Sequence, residues 1–323
     1  VAKRLEQKLA QIAELRRGEP TPAAINTLQS ILAKDEGAAV ARAAELMVEW
    51  GLFDQQAQLA QAFKRLLEGS TDADPQCWGK VALVKALQTL GWHDPEVYLL
   101  GCRCVQPEPV WGGQEDSAPS LRALSAQALA ECPGVSYDRA IDVLVGLLAD
   151  PVWNVRVGAA QAVARLGYPQ GAPLLKLKVL LGDLEPRVIG ACLEGLLHLA
   201  RTEALPFVQA LLGHKDASVR MEAICALAAS SLPEAVNLAA RTWNTFTDPR
   251  SRKAVIAALA NSHTPEALDF LLELLSQANR SEAMAVLGVI GPRLREPELS
   301  ERARQAIAQN PSPALRDELE AQL

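Results

Sequence analysis

Of the chain's 323 residues 49% are hydrophobic but only 4% aromatic, so its core is built from Leu, Ala and Val, which suits helix packing better than a β-sandwich or barrel. A net charge of −6 argues against a general nucleic-acid binder, which needs a basic surface for phosphates. No apolar run approaches the roughly 18 residues of a membrane span, and the charged opening residues lack an apolar leader-like stretch. The chain opens at Val1 rather than Met, which fits a piece trimmed from something longer.

In chain order, residues 3–17 (KRLEQKLAQIAELRR) read as a polar amphipathic helix, and residues 1–21 as an N-terminal cap. Three loosely patterned helix pairs follow at 22–51, 54–91 and 94–131. The third carries an insertion, Gln106 to Ser120 (QPEPVWGGQEDSAPS), where a corner of about four residues is the norm. It reads as a loop, with Pro107, Pro109, Pro119, the doublet Gly112-Gly113 and a lone large apolar side chain, Trp111. The pattern then becomes regular. In 137–167, Ala140, Ile141, Leu144, Leu147 and Leu148 form one helical stripe, and Val155, Ala159, Ala162 and Leu166 form a second. Asp150-Pro151 between them reads as the cap and first turn of the second helix, and Gly167 as its stop. Further pairs fall at 170–200, 203–230, 233–261 and 265–291, and 297–323 closes the stack as a C-terminal cap. Residues 1–323 are therefore expected to form one all-α solenoid, divergent over 22–131, regular over 137–291, and without a sheet.

The register of the repeat is set by Arg156, Arg187, Arg220 and Arg252, spaced 31, 33 and 32 residues apart. A corner acid precedes each: Asp150, Asp183, Asp216 and Asp248. Seven residues after each arginine stands Val163, Glu194 (the one polar exception), Leu227 or Leu259. Weaker copies are marked by Arg42, Lys80, Arg122 and Arg280. A unit of this length is a helix hairpin that cannot bury its own apolar faces but can do so in a stack.

The run DASVRMEAICAL, Asp216 to Leu227, resembles the second-helix motif of the HEAT repeat family. The short units with Ala-rich second helices are most similar to the bacterial branch called phycobilisome-lyase HEAT-like repeats. The resemblance covers 137–291 well and 22–131 loosely. It implies a right-handed α-solenoid of stacked antiparallel helix pairs, with the second helices lining the concave side. It also implies a ladder in which Arg156, Arg187, Arg220 and Arg252 pair with Asp150, Asp183, Asp216 and Asp248.

No catalytic signature is present: neither a G-x-S-x-G elbow, nor a P-loop, nor H-E-x-x-H. His93, His214 and His263 fall at corners and read as caps; His198 lies late in a helix. The cysteines at 77, 102, 104, 132, 192 and 225 are scattered, as small apolar residues in a reducing compartment would be. Only Cys102-x-Cys104 is a close pair, with His93 and Cys132 as its sole conceivable partners, so no metal is expected. No cofactor is expected either.

The residues left over for function are tryptophans. Trp78 and Trp153 stand at the starts of two second helices, and Trp111 lies outside any helix. The bland reading packs Trp111 on a neighbouring repeat and lets the other two seal corners. The sharper one makes all three anchors of an interaction surface. The leading expectation is a cytoplasmic, non-enzymatic scaffold that binds a protein segment along the concave face of the second helices, without nucleic acid or membrane. Two alternatives follow from resemblance alone: bilin-lyase-like attachment or removal of a chromophore, and a HEAT-like DNA glycosylase or DNA binder, which the acidic balance disfavours.

Overall fold

A computed structural model describes residues 2–262 and 264–323, so His263, read as a corner cap, lies outside the described residues, as does Val1. The chain divides into two compact units, 1–171 and 172–323.

The first unit opens with α1 (Ala2–Arg16), which packs on α3. Ile12 is its buried apolar contact, and Arg4 and Lys8 reach Asp35 at 3.3 and 3.7 Å. Four helix pairs follow: α2 (Pro22–Lys34) with α3 (Gly37–Glu49), α4 (Gln56–Glu68) with α5 (Trp78–Thr89), α6 (Glu96–Cys102) with α7 (Pro119–Glu131), and α8 (Tyr137–Leu147) with α9 (Trp153–Arg165). Second helices pack in succession, α3 on α5, α5 on α7, α7 on α9. The second unit repeats the plan with α10 (Ala172–Leu181) and α11 (Pro186–Ala200), α12 (Leu205–Leu211) and α13 (Ala217–Ala229), α14 (Pro233–Thr242) and α15 (Pro249–Ala260), α16 (Pro265–Gln277) and α17 (Arg280–Ile290), and α18 (Pro297–Ala308) and α19 (Pro313–Glu320). Each pair lies within the range its periodicity predicts. Each unit is thus an all-α stack of helix hairpins, the α-solenoid class. Among the described residues no helix is long and apolar enough to cross a membrane.

Local chemistry sets the helix starts. Side-chain oxygens of Thr21, Ser136, Asp216, Asp248, Asn279 and Ser312 accept from backbone N–H groups in the first turn that follows. Proline occupies the first helical position of α2, α7, α11, α14, α15, α16, α18 and α19, where its missing N–H costs nothing. Asp150 departs from its expected role. α9 begins three residues later, at Trp153, and Asp150 Oδ1 instead accepts the Val152 N–H at 2.9 Å, leaving the carboxylate free to face Arg122.

Small residues let the second helices approach closely. A Cβ on Gly79 would sit 2.7 Å from Gly37 Cα and 3.0 Å from its carbonyl oxygen, and backbone cannot swing away. Gly146, inside α8, faces open space. Gly79→Ala should therefore destabilise the chain by about 1–3 kcal/mol. Gly146→Ala should stabilise it by about 0.5–1 kcal/mol through helix propensity. Urea unfolding of the two variants checks both signs.

One expectation fails. The insertion after α6 is not a loop without a sheet: β1 (Pro107–Val110) and β2 (Gly113–Asp116) form an antiparallel hairpin with Val110 opposite Gly113. The connection is Trp111-Gly112, and Gly112 adopts φ +90°, a conformation that side chains rarely allow. Pro107 and Pro109 hid the strand from sequence reasoning. They are tolerated because β1 has only one partner, and alternate residues turn their N side away from it.

Candidate interaction site on the first unit

The corners preceding α5, α7 and α9 lie along one edge of this unit, because the second helices run parallel with their N-termini adjacent. A Cβ on Gly158, early in α9, would touch Ala123, early in α7. Cys77, just before α5, has its sulfur 3.8 Å from Ser117 Oγ, just before α7. The edge therefore carries Trp78, the hairpin with Trp111, and Trp153 in that order. Trp111 is fully exposed at the hairpin tip (104%), Trp78 is 62% exposed and Trp153 38%. The expectation that Trp111 folds onto a neighbouring repeat is not met. Val110, next to it in the chain, and Val105, before the hairpin, are also exposed.

A polar network braces the hairpin at its base. Glu108 Oε1 accepts from the Gln76 backbone N–H (2.7 Å), from Gln106 Nε2 (2.7 Å) and from Ser117 Oγ (2.5 Å), while Oε2 accepts from Gln76 Nε2 (3.1 Å). Burial pushes the Glu108 carboxyl up, but the donors from Ser117, Gln106 and Gln76 together hold it below the usual range. Gln76 and Cys77 both take left-handed backbone conformations, φ 58° and 55°, which aim the Gln76 N–H at the hairpin. On the other strand, Asp116 Oδ1 accepts from the backbone of Gln106 and Ala118 at 3.0 Å each, and Oδ2 takes Arg122 Nη1 at 2.6 Å.

Beneath the hairpin lie two buried charge clusters. Arg122, 4% exposed, forks onto Asp150 through Nε (2.8 Å) and Nη2 (3.1 Å), and gives Nη1 to Asp116 and to the Cys104 carbonyl. Asp74, with no exposed surface, accepts the backbone N–H groups of Gly79 and Lys80 at 2.7 and 3.0 Å and the Lys80 ammonium at 3.0 Å. Asp74 thus caps α5 from outside its first turn, and Gln106 Nε2 donates to its carbonyl oxygen. None of Asp74, Gln76, Gln106, Glu108 or Ser117 stands out in the sequence, and Asp116 does so only as one of the insertion's two acidic residues beside Glu115. The only available signal was the Gly-Gly turn within an oversized corner.

Glu108→Gln keeps the shape but replaces charge-assisted acceptors with weaker ones and leaves one donor facing an NH2 group. The hairpin amides should then exchange about three- to tenfold faster, a modest factor because the site is largely solvated. The global unfolding midpoint should not move. Amide hydrogen exchange read alongside thermal unfolding checks this.

The corner arginines and acids take several forms. Arg122 pairs forward with Asp150, the corner acid of the next repeat, and Arg252 likewise reaches Glu282 at 2.5 Å. Arg156 Nη1 donates to the carbonyls of Asp150 and Pro151, and Arg220 Nη1 to those of His214 and Lys215. Asp216 and Asp248 spend a carboxylate oxygen capping α13 and α15. Asp183 meets Lys178 at 2.9 Å, and Arg187 lies 3.5 Å from Glu185. In the second unit Arg187, Arg220, Phe246 and Asp248 help to line an open cavity of about 850 Å³. The six cysteines are free thiols.

The family described as HEAT repeats matches residues 114–177 and 176–245, and the PBS lyase HEAT-like repeat matches 251–277. Residues 114–245 and 251–277 are HEAT repeats. No curated protein matches the chain. Among solved structures, this chain is similar to the complex of CpcE and CpcF of phycocyanin lyase from Nostoc sp. PCC7120, with 18% identity and a TM-score of 0.44 over 80% of this chain and 94% of that one. It is also similar to the karyopherin Kap121p bound to the extreme C-terminus of the protein phosphatase Cdc14p, with 16% identity, a TM-score of 0.48 and 93% of this chain covered. A mutant of Kap121p matches all of this chain at 12% identity with a TM-score of 0.50. The chain spans 37% and 43% of those two karyopherin chains.

Proposed function

We propose that the chain is a non-enzymatic protein-interaction scaffold whose partner docks along the tryptophan edge of the first unit. Trp111 is its anchor, flanked by Trp78 and Trp153. One observation carries the reading: a fully exposed tryptophan stands at the tip of a hairpin whose base is tied down by Glu108, Asp116 and Arg122. An isolated two-stranded hairpin is marginal in water, so this much bracing without a use would be wasteful. A large apolar side chain held rigidly in solvent is what a binding anchor needs, since little ordering entropy remains to be lost on association. The partner is a protein segment. The reading involves no cofactor, nucleic acid or membrane, and six free thiols support a cytoplasmic setting.

The test is affinity capture from native lysate with the whole chain and with a variant whose residues 106–120 are replaced by a four-residue turn. A protein retained by the first and lost by the second is expected. Equal capture by both would move the site elsewhere.

A further inference from the structure

The hairpin that carries Trp111 has one edge closed to a further strand and one edge open. The Ser117 N–H donates to the Gln106 carbonyl at 2.9 Å, one step beyond the Pro107–Asp116 pair. Bonded and non-bonded pairs alternate along an antiparallel ribbon. The bonded pairs are therefore Gln106 with Ser117, Glu108 with Glu115 and Val110 with Gly113. Pro107, Pro109, Gln114 and Asp116 turn their backbone groups outward. Both outward positions of β1 are prolines, which have no N–H, so that edge cannot donate to a neighbouring strand. The outward positions of β2 keep their donors, and no bulge, lysine or proline guards them. Gln114 and Glu115 are exposed and Asp116 is half-buried. Among the described residues, neither the Gln114 nor the Asp116 backbone N–H has an acceptor.

We propose that β2 takes an extended, basic segment of the partner protein as a third, antiparallel strand. This rests on the reading that the partner docks along the tryptophan edge. Outward N–H and C=O groups on alternate residues are matched by another extended backbone. Charge selects the side chains of that segment. Between Arg103 and Arg122 the chain has no Lys or Arg but carries Glu108, Glu115 and Asp116. Glu108 and Asp116 are spent on the brace, whereas Glu115 has no ion pair among the described residues. On a strand bonded to Gln114 and Asp116, the residue opposite Glu115 falls in a non-bonded pair, where side chains approach most closely. A lysine or arginine there supplies the missing counter-charge. The same geometry disfavours a second copy of this chain as the occupant. β2 paired with β2 about Glu115 sets two like charges against each other. Trp111 stands two residues before β2, so one partner segment can reach both strand and anchor.

The test selects random heptapeptides displayed on phage against the full chain, and measures the selected sequences as synthetic peptides. They are expected to share Lys or Arg at one fixed position. On binding, the Gln114 and Asp116 amides should become protected from hydrogen exchange. Those of Gly113 and Glu115, already bonded within the hairpin, should change little. Gln114→Pro removes one outward donor at a position that proline already occupies on the opposite strand, and should weaken binding about tenfold. Glu115→Lys should weaken it by about three- to tenfold. N-methylation of alternate peptide amides should abolish binding in one register and spare it in the other, a readout independent of how any variant folds. Failure to select a peptide, no protection at Gln114 and Asp116, indifference to Glu115→Lys, or equal loss from N-methylation in both registers would each overturn the proposal. A lysate protein that is lost with the shortened 106–120 loop but held undiminished by Gln114→Pro would overturn strand addition alone and leave docking along this edge intact. Dimerisation of the chain that Gln114→Pro abolishes would also overturn it and assign the edge to a second copy.

Discussion

Arg122→Ala should cost the first unit about 3–5 kcal/mol. The guanidinium is 4% exposed and makes four hydrogen bonds, two to Asp150, one to Asp116 and one to the Cys104 carbonyl. Removing it leaves two carboxylates facing each other in a region partly shut off from water, and unpaired charge there is expensive. Arg122→Lys should recover only part of the loss, because an ammonium cannot reproduce the planar fork on Asp150. The pH dependence carries a sign. Burial raises the Asp116 carboxyl, but the Gln106 and Ala118 N–H groups and Arg122 together hold it below its ordinary value in the folded chain. Its contribution is therefore fully present above the unfolded value of about 4 and lost as pH falls through the lower folded value. Wild type should lose stability over that acid range more steeply than Arg122→Ala, in which Asp116 no longer gains a cation on folding. Urea unfolding across acidic pH measures both effects.

Asp74→Ala should cost a similar amount, about 3–5 kcal/mol, through a different mechanism. Asp74 holds the first backbone N–H groups of α5 and neutralises Lys80, whose side chain is 2% exposed. Without it the ammonium is stranded and the helix start loses its acceptors. The pair Asp74→Ala with Lys80→Met should be clearly more stable than Asp74→Ala alone, because an apolar chain of similar length needs no counter-ion. A double-mutant cycle by chemical denaturation checks the recovery; additive losses would mean that the two residues do not act as a pair.

The helix pairs were legible because each depends on its own stripe of apolar residues and on a cap or proline a few positions away, as in 137–167 and 233–261. Their pattern survives even where the arginine register fades, since burial in a neighbouring hairpin needs only periodicity and small size. The proposed interaction edge was only half legible. Trp78, Trp111 and Trp153 stood out as large aromatic residues that could seal corners or anchor a partner, and all three lie along one edge of the first unit. What braces that edge could not be read, because it is made of long-range polar contacts between unremarkable residues. Glu108 acts through Gln76, 32 residues earlier, and Arg122 through Asp150, 28 residues later. Asp150 does not cap its helix: its carboxylate serves Arg122 of the preceding repeat. The hairpin was missed because two prolines in four residues suppress the strand pattern, while an unpaired outer edge makes them harmless.

The bracing links fold to function. Each buried cluster fixes the base of the hairpin to a different second helix, Asp74 and Gln76 at the start of α5 and Arg122 within α7. Trp111 is thereby presented by the stack rather than by a floppy loop, while contributing nothing to the stack's own core. The most direct test of this separation is Trp111→Ala, with thermal unfolding and partner affinity measured on the same preparation. The expected result is an unchanged melting temperature together with binding weakened by about 2 kcal/mol or more. A lowered melting temperature with affinity intact would contradict it, and would make the hairpin a structural strap.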